Sequence, residues 1–460
     1  MSLISALTTD DAFTANGAIT NSTTDSKLLD FFANAGSLRN RTESEILRMF
    51  NDAYFENPSL ALRMLLWVRD CRGGAGERRT FRIIFNSLSP RDKNRIIHKV
   101  PEVGRWDDLW KKQANNEVVR TLTPDLLSFL SNNLQNGLLC KWLPRKGKLF
   151  DALVKYNRTT PKELRKTLVS NTQVVEQLMS SRRWSEIKYS TVPSKAMSNY
   201  ARSFSKRDGV RFSEYMQKVE KGEAKINAST LFPYDVLLSL NKNAESVVNA
   251  QWNALPSYYS DENILVVADV SGSMGDFKSN TLCPIHASIS LAMYTAEKNT
   301  GLFKDYFITF SSKPKLQKLS GTFTNRVNQL QRADWSMSTD LVAVFELLLT
   351  KAVKHSLTDQ DLPTKIVIVS DMEFNHAVTN ISNFNEIKRQ YESHGYAIPQ
   401  LVFWNVNGRA GNVPVKMNDK GVALVSGYSP SIIPSILGES ISPMAVMLKT
   451  LNAERYNFGS

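Results

Sequence analysis

The second half of the chain alternates short, strongly apolar runs with helical stretches. The apolar runs are 264–268, 306–310, 365–369 and 399–404, with a weaker one at 421–425. The helical stretches are 284–299, 340–355, 381–394 and 440–452. Strands that alternate with helices of this length form a mostly parallel, doubly wound sheet, because each parallel strand needs a crossover connection. We therefore predict an α/β domain over residues 256–460.

Residues 30–255 have a helical pattern, and we predict a separate domain there. Thr42 and Glu45 have the spacing of a capping box, which indicates the start of a helix. Short helices joined by turns favour a HEAT-like helical-repeat ring or arc, although no clean repeated sequence is present. Residues 1–29 are rich in Thr, Asn, Ser and Asp with little apolar periodicity, and we expect a flexible leader there.

The composition is that of an ordinary globular protein. Apolar residues make up 42% and charged residues 22% of the 460 residues, which excludes wholesale disorder. No apolar run reaches the roughly 18 residues that a membrane span needs, and the N-terminus lacks a signal-peptide pattern. Three distant cysteines and five scattered histidines suit neither a disulfide framework nor a zinc site. We expect a soluble, intracellular protein.

The net charge of +13 is concentrated in one part of the chain. Residues 1–250 carry 39 Lys and Arg against 26 Asp and Glu, whereas residues 251–460 carry 18 of each. Residues 141–225 alone hold 20 basic and eight acidic residues. A basic block on a neutral background is typical of proteins that bind polyanions, since each neutralised phosphate releases counterions. A solvated basic surface is the alternative, and charge alone does not distinguish RNA from DNA.

Basic and aromatic residues occur together within that block, around Trp142 and Trp184. Cations that follow a nucleic-acid backbone beside aromatic rings that stack on bases suit single-stranded RNA. The alternatives are that the tryptophans anchor the core and that the arginines of 69–79 form salt bridges between helices. The candidate RNA contacts are Arg72, Arg78, Arg79, Lys141, Trp142, Arg145, Lys146, Lys148, Arg182, Arg183, Lys206, Arg207 and Arg211.

Oxygen-bearing side chains follow the first strand of the expected sheet. Asp269, Ser271 and Ser273 alternate, so their oxygens can point from one loop toward one position. Thr339 before a helix and Asp371 after a later strand are expected at the same edge, where doubly wound sheets bind ligands. Two carboxylates and three hydroxyls suit Mg²⁺ or Mn²⁺ rather than zinc. So few protein ligands leave room for water or for a carboxylate from a partner.

This set resembles the metal-ion-dependent adhesion site of von Willebrand factor A domains, in which D-x-S-x-S is followed by Thr and then Asp. All five positions match. Ser338 stands where many family members have Gly, and Glu373 stands where Gly often follows the Asp, but neither change removes a ligand. The resemblance implies a von Willebrand A domain that holds Mg²⁺ or Mn²⁺. A Rossmann-like domain in which these residues are caps and turns is the alternative.

Several stretches of the helical half resemble a second family. They are RDCRGGAGER at 69–78, VPEVGRWDDL at 100–109, KWLPR at 141–145 and VPS at 192–194. With the C-terminal domain they are similar to the Ro autoantigen type (the TROVE module), and more so to a sister family of plant, fungal and viral proteins. The resemblance covers about residues 30–455.

The Ro resemblance implies a ring of helical repeats, held shut by the A domain. Such a ring binds small non-coding RNAs and the single-stranded ends of misfolded RNAs. By the same resemblance the protein would be a monomer. We expect it in the cytoplasm, or in the host cytoplasm if the chain is viral.

The sequence contains no nucleophile constellation, and we expect no enzymatic activity. Ser273 lacks the glycine two residues earlier that a hydrolase elbow requires, and the glycines at 73–76 are not followed by the Lys-Ser/Thr of a P-loop. His376 and Glu373 lie near the metal motif and could assist a metal-bound water. Besides an RNA-binding protein, the open alternatives are a metal-dependent protein-interaction scaffold, viral assembly included, and a metal-dependent nuclease.

Overall fold

The structure is a computed structural model that describes residues 11–111, 122–259, 262–310, 314–331, 340–375, 383–409, 411–438 and 441–459. It is a mixed α/β protein with an N-terminal helical region and a C-terminal, mostly parallel sheet, as predicted. Three residues singled out above, Ser338, Thr339 and His376, lie outside the described residues. No described helix is long and apolar enough to cross a membrane.

The helical region consists of short helices joined by turns. They are α1 (Lys27–Ala35), α2 (Glu43–Glu56), α3 (Pro58–Arg69), α4 (Arg78–Ser87), α5 (Pro90–Ile96), α6 (Val100–Val103), α7 (Pro124–Asn132), α8 (Gly137–Trp142), α9 (Lys148–Tyr156), α10 (Pro161–Asn171), α11 (Val175–Ser180), α12 (Ser194–Arg207), α13 (Gly209–Glu220), α14 (Pro233–Ser239) and α15 (Glu245–Asn253). Thr42 and Glu45 form the predicted capping box at the start of α2. A HEAT-like repeat stays a prediction.

The C-terminal sheet has six strands, and a separate two-stranded hairpin lies near the N-terminus. The hairpin is β1 (Asp11–Phe13) with β2 (Ile19–Asn21), and the sheet strands are β3 (Ile264–Ala268), β4 (Tyr306–Thr309), β5 (Leu316–Lys318), β6 (Lys365–Ser370), β7 (Gln400–Asn405) and β8 (Val422–Ser426). The order in the sheet is β5-β4-β3-β6-β7-β8, and β5 pairs antiparallel while the other neighbours are parallel. The alternation of strands and helices predicted a mostly parallel sheet, but neither β5 nor the order of the strands.

Helices cover both faces of the sheet, which is why its central strands are apolar throughout rather than alternating. Successive residues of β3 therefore belong to two different cores. Val266 and Ala268 pack in a core that continues into the helical region. Leu265 and Val267 pack in a second core. The covering helices are α16 (Pro284–Lys298), α17 (Phe323–Gln331), α18 (Leu341–Lys354), α19 (Asn383–Ser393), α20 (Ile433–Ile436) and α21 (Pro443–Leu451).

Residues 11–29, which we expected to belong to a flexible leader, fold against the C-terminal domain. The backbones of Asn21 and Val413 exchange two hydrogen bonds of 3.0 Å. Helix α1 lies against β8, where the Ser426 hydroxyl accepts a hydrogen bond from the Gly36 N–H at 3.0 Å. The segment is held mainly by specific hydrogen bonds, so its sequence lacks the apolar periodicity that would have predicted its structure.

Both ends of the helical region contact the sheet domain. At the start, α1 packs on β8 and α21. At the end, α14 packs on α16, and the Trp252 ring of α15 stacks on Phe323 with 4.2 Å between centroids. The two ends also meet each other, since a Cβ on Gly76 would lie only 2.4 Å from Cζ of Phe232. The helical region therefore leaves the sheet domain and returns to it.

A buried carboxylate ties the end of the chain to the helical region. Asp70, at the end of α3, is fully buried and accepts hydrogen bonds from Arg455 Nη2 at 2.8 Å and from the Tyr456 hydroxyl at 3.1 Å. The Arg72 N–H donates to it as well, at 3.0 Å. Removal of a buried charge with several partners lowers the stability of the fold, because each partner loses its acceptor.

We expect Asp70→Asn to lower the free energy of unfolding by about 1–3 kcal/mol in chemical denaturation, since Arg455 is partly exposed and water compensates part of the loss. Asp25→Asn is the matched control, because the 2.9 Å pair between Asp25 and Lys416 also joins distant parts of the chain but is solvent-exposed. The control should change stability by less than about 0.5 kcal/mol. Equal effects of the two variants would contradict this assignment.

Candidate functional site

Two neighbouring parallel strands bring the main acidic candidates to one edge of the sheet. Asp269 directly follows β3 and Asp371 directly follows β6, and these strands pair in parallel. The Asp269 N–H donates to the Val369 carbonyl at 2.9 Å, which fixes the loop after β3 beside the end of β6. This is the carboxyl edge at which doubly wound sheets bind ligands.

The loop after β3 folds so that its oxygens face one another. The Ser271 N–H donates to Asp269 Oδ1 at 2.9 Å, and the Ser271 and Ser273 hydroxyls are 3.0 Å apart. Ser370, which the sequence analysis missed, donates from its hydroxyl to Asp269 Oδ2 at 2.6 Å. Its signal was a polar residue at the end of a buried strand. Asp269, Ser271, Ser273 and Asp371 lie together, while Thr339 is outside the described residues.

Asp269 and Asp371 are buried, and neither forms an ion pair with a described residue, although Arg409 pairs with the neighbouring Glu373 at 3.1 Å. Burial, and secondarily the charge of Asp371, raises the pKa of Asp269 to about 6, although hydrogen bonds from Ser370 and Ser271 oppose the rise. Burial also raises the pKa of Asp371. The Ser273 hydroxyl and the Glu373 N–H, which donates a hydrogen bond at 3.2 Å, act in the opposite direction and lower it. Asp371 Oδ2 is buried with no hydrogen-bond partner among the described residues.

This arrangement fits a hard divalent cation. An orphaned carboxylate oxygen, a second buried carboxylate and two hydroxyls are the ligands that Mg²⁺ or Mn²⁺ prefers,. The exposed Ser273 leaves a route from solvent. Within the described ranges, no three His, Cys, Asp or Glu side chains are grouped to hold a metal, so an ion here would depend on the hydroxyls.

Glu373 contacts the N-terminal segment and the loop after β7. Its carboxylate accepts from Arg409 Nη1 at 3.1 Å, from Asn412 Nδ2 at 3.2 Å and from the Ala15 N–H. The Thr14 hydroxyl donates to the next carbonyl, that of Phe374, at 2.7 Å. Glu373 therefore has a structural role, because these bonds connect the N-terminal hairpin to the loop that carries Asp371.

Four of the candidate RNA contacts have internal partners. Arg79 Nη1 donates to the Arg41 carbonyl at 2.6 Å, and Lys141 Nζ pairs with Glu176 at 2.8 Å. Arg145 and Arg211 donate to main-chain carbonyls at helix ends and turns, where arginine satisfies acceptors that the helix leaves open,. Arg211 also pairs with Asp208 at 2.7 Å. These four side chains hold the helical region together.

The remaining basic candidates are exposed. Arg183 forms an exposed pair with Glu186 at 3.2 Å, and Arg72 reaches the Glu102 carbonyl at 3.4 Å. Lys148 is exposed and has a partner. The exposed candidates whose side chains make no hydrogen bond or ion pair with a described residue are Arg78, Lys146, Arg182, Lys206 and Arg207.

The tryptophans of the basic half act chiefly as anchors. Trp106 is buried and stacks on Phe129 with 5.7 Å between ring centroids. Trp142 is half-buried, and the guanidinium carbon of Arg105 lies 3.6 Å from its ring centroid. Arg105 was not among the candidates, because the sequence places it in a turn outside the basic block.

Comparison with known proteins gives two family matches. Residues 263–451 match the model described as Domain of unknown function (DUF7788), and residues 128–262 match Domain of unknown function (DUF2828). Uncharacterized protein L728 of Acanthamoeba polyphaga mimivirus is 26% identical over 506 residues, which cover 96% of this chain and 87% of that protein. The crystal structure of the Deinococcus radiodurans Ro (RSR) protein matches with 12% identity and a TM-score of 0.42, covering 94% of this chain and 100% of that chain.

We expect Asp371→Asn to stabilise the protein in EDTA by about 1 kcal/mol, since it removes a buried charge next to Asp269. Wild-type protein should gain thermal stability on addition of Mg²⁺ or Mn²⁺, because a ligand that binds only the folded state stabilises it. The Asp371→Asn variant should not gain thermal stability when either metal is added. Asp359→Asn, on the exposed surface of the same domain, should behave as wild type; a metal-induced gain that persists in Asp371→Asn would contradict the site.

Proposed function

We propose that this is an RNA-binding protein whose basic helical region holds small non-coding RNA or single-stranded RNA ends mainly through phosphates. The main observation in support of RNA binding is an excess of exposed cations. In residues 141–225, 17 of the 20 basic side chains are exposed, against six of the eight acidic ones. Residues 251–460 carry no net charge. The Ro-like stretches at 69–78 and 100–109 favour RNA over other polyanions.

Binding of this kind needs no chemical step. Each phosphate that an exposed cation neutralises releases counterions, so affinity should be high at low salt and sequence preference modest. The role we propose is RNA scaffolding, storage or quality control, with no catalysis. The helical region starts and ends on the sheet domain, and this arrangement supports a ring that the sheet domain closes.

We further propose that the sheet domain is of the von Willebrand A type and holds Mg²⁺ or Mn²⁺ through Asp269, Ser271, Ser273, Thr339 and Asp371. The supporting observation is the buried Oδ2 of Asp371, which has no hydrogen-bond partner among the described residues and lies beside a second buried carboxylate. When bound, the ion would accept a carboxylate oxygen from a partner protein. Metal-dependent protein interaction is therefore the second candidate function, and it is compatible with RNA binding by the helices.

Charge reversal at Lys146, Arg182, Lys206 and Arg207 tests the RNA proposal. These side chains make no hydrogen bond or ion pair with a described residue, so the fold should survive. We expect the Glu variant to bind single-stranded RNA at least about 100-fold more weakly in fluorescence anisotropy near 0.1 M salt, and the slope of log K against log salt to become shallower by roughly 2–3 units.

The matched control reverses Lys304, Lys351, Lys354 and Lys420, four exposed lysines of the neutral half. It makes the same change in net charge and should bind RNA as wild type does, with both variants checked by thermal unfolding. Equal losses in the two variants would indicate a net-charge effect and contradict a site on the helices. Shortening of the RNA with Mn²⁺, lost in Asp371→Ala, would favour the nuclease alternative.

A further inference from the structure

Two adjacent carboxylates gather a cluster of cations at the turn between α6 and residue 111. Asp108 is completely buried and accepts from Arg69 Nε at 2.6 Å and from Arg82 Nε at 2.8 Å. Arg82 Nη2 forms an ion pair with Asp107 at 3.4 Å but is buried with no hydrogen-bond partner among the described residues. The basic cluster consists of Arg69, Arg78, Arg82, Arg105 and Lys111.

The second carboxylate holds the more accessible members of the basic cluster. Asp107 accepts from Arg105 Nε at 2.9 Å and from Nη2 at 3.0 Å, and Lys111 Nζ lies 3.3 Å away. The Arg105 and Lys111 side chains are 27% and 25% exposed. Trp142 fixes the Arg105 guanidinium by stacking at 3.6 Å. The charged ends of these two residues are therefore positioned at the surface before any ligand arrives.

Arg78 lies at the N-terminus of a helix, where a positive charge is unfavourable,. It is the first residue of α4, a helix with no side-chain cap and no acidic residue in its first turn, because the Glu77 carboxylate binds Arg39 instead. A cation at this end opposes the helix dipole, and Arg82 one turn later is a like charge at i, i+4. Arg78 is exposed and makes no hydrogen bond or ion pair with a described residue.

The charges of the basic cluster do not balance. Four of its five cations pair with the two carboxylates Asp107 and Asp108. Arg78 pairs with neither, so five positive charges stand against two negative ones. Burial, and then the charges of Arg105 and Arg69, lower the pKa of Arg78. Residues that break local rules together in this way are expected at functional sites, and an anion would offset the repulsion.

We propose that the basic cluster binds a phosphate group of the RNA, which Arg78, Arg105 and Lys111 contact. The buried Arg69 and Arg82 contribute positive charge without contacting the phosphate. This inference rests on the proposed RNA binding and names a contact outside the basic block of residues 141–225. Guanidinium groups present paired donors that match phosphate oxygens. Trp142 is a positioning residue here, because Arg105 covers one face of its ring.

Arg78→Gln separates a binding role from a structural one. In the absence of RNA we expect its thermal stability to equal or exceed that of wild type, since a repelled charge has been removed. Its affinity for single-stranded RNA should fall at least about tenfold, the loss expected for a charged hydrogen-bonded contact. Arg79→Gln is the matched control: it loses the hydrogen bond to the Arg41 carbonyl, so its stability should fall while RNA affinity holds.

The probes are one single-stranded RNA with a 5′-phosphate and the same RNA with a 5′-hydroxyl, measured by anisotropy against the full chain. Loss with both RNAs in Arg78→Gln indicates a backbone phosphate, and loss with the phosphorylated RNA alone indicates a terminal phosphate; both support the proposal. Unchanged binding in Arg78→Gln, with binding still lost in the reversal of Lys146, Arg182, Lys206 and Arg207, overturns this inference and leaves the proposed function standing. If wild-type protein binds neither RNA, both fail.

Discussion

One continuous apolar core joins the helical region to a face of the C-terminal sheet, and the placement of both candidate sites depends on it. Phe32 and Trp67 of the helical region pack with ring centroids 4.8 Å apart and planes tilted by 36°, in the same core that contains Val369 and Trp404 of the sheet. Separating the two halves would expose this apolar surface at a cost of about 25 cal/mol per Å². The sheet edge with Asp269 and helices α8 to α10 are therefore joined by one core, whereas Ile187 to Ile226 pack in a separate one.

Charged residues divide into those that maintain the fold and those left for a ligand. Asp70 and Asp108 are buried and fully engaged, and arginines such as Arg145 and Arg211 satisfy carbonyls at helix ends. The exposed cations of residues 141–225 have far fewer acidic neighbours than they would need for balance. Selection for stability alone would not concentrate such repulsion on one region, and the polyanionic partner that we propose would offset it.

The sequence predicted the sheet and the grouping of four of the metal candidates at its edge, because both depend on the order of strands and loops along the chain. A strand that ends in D-x-S-x-S must place those oxygens at the carboxyl edge, and Asp371 follows the adjacent strand. The N-terminal hairpin was missed because its partners, such as Val413, lie almost 400 positions away. The internal role of Arg211 was missed because a carbonyl acceptor leaves no mark in the sequence. An internal role for Arg79 was one of the alternatives, but its carbonyl acceptor was not predicted.

RNA binding by the helical region can be tested by crosslinking RNA to the protein in its own cells, sequencing the RNA and mapping the crosslinked peptides. We expect a discrete set of RNAs crosslinked to peptides from residues 141–225 and from the turn around Arg105, unaffected by EDTA. Background RNA only, together with a protein partner that dissociates in EDTA, would contradict it and leave metal-dependent protein interaction as the function.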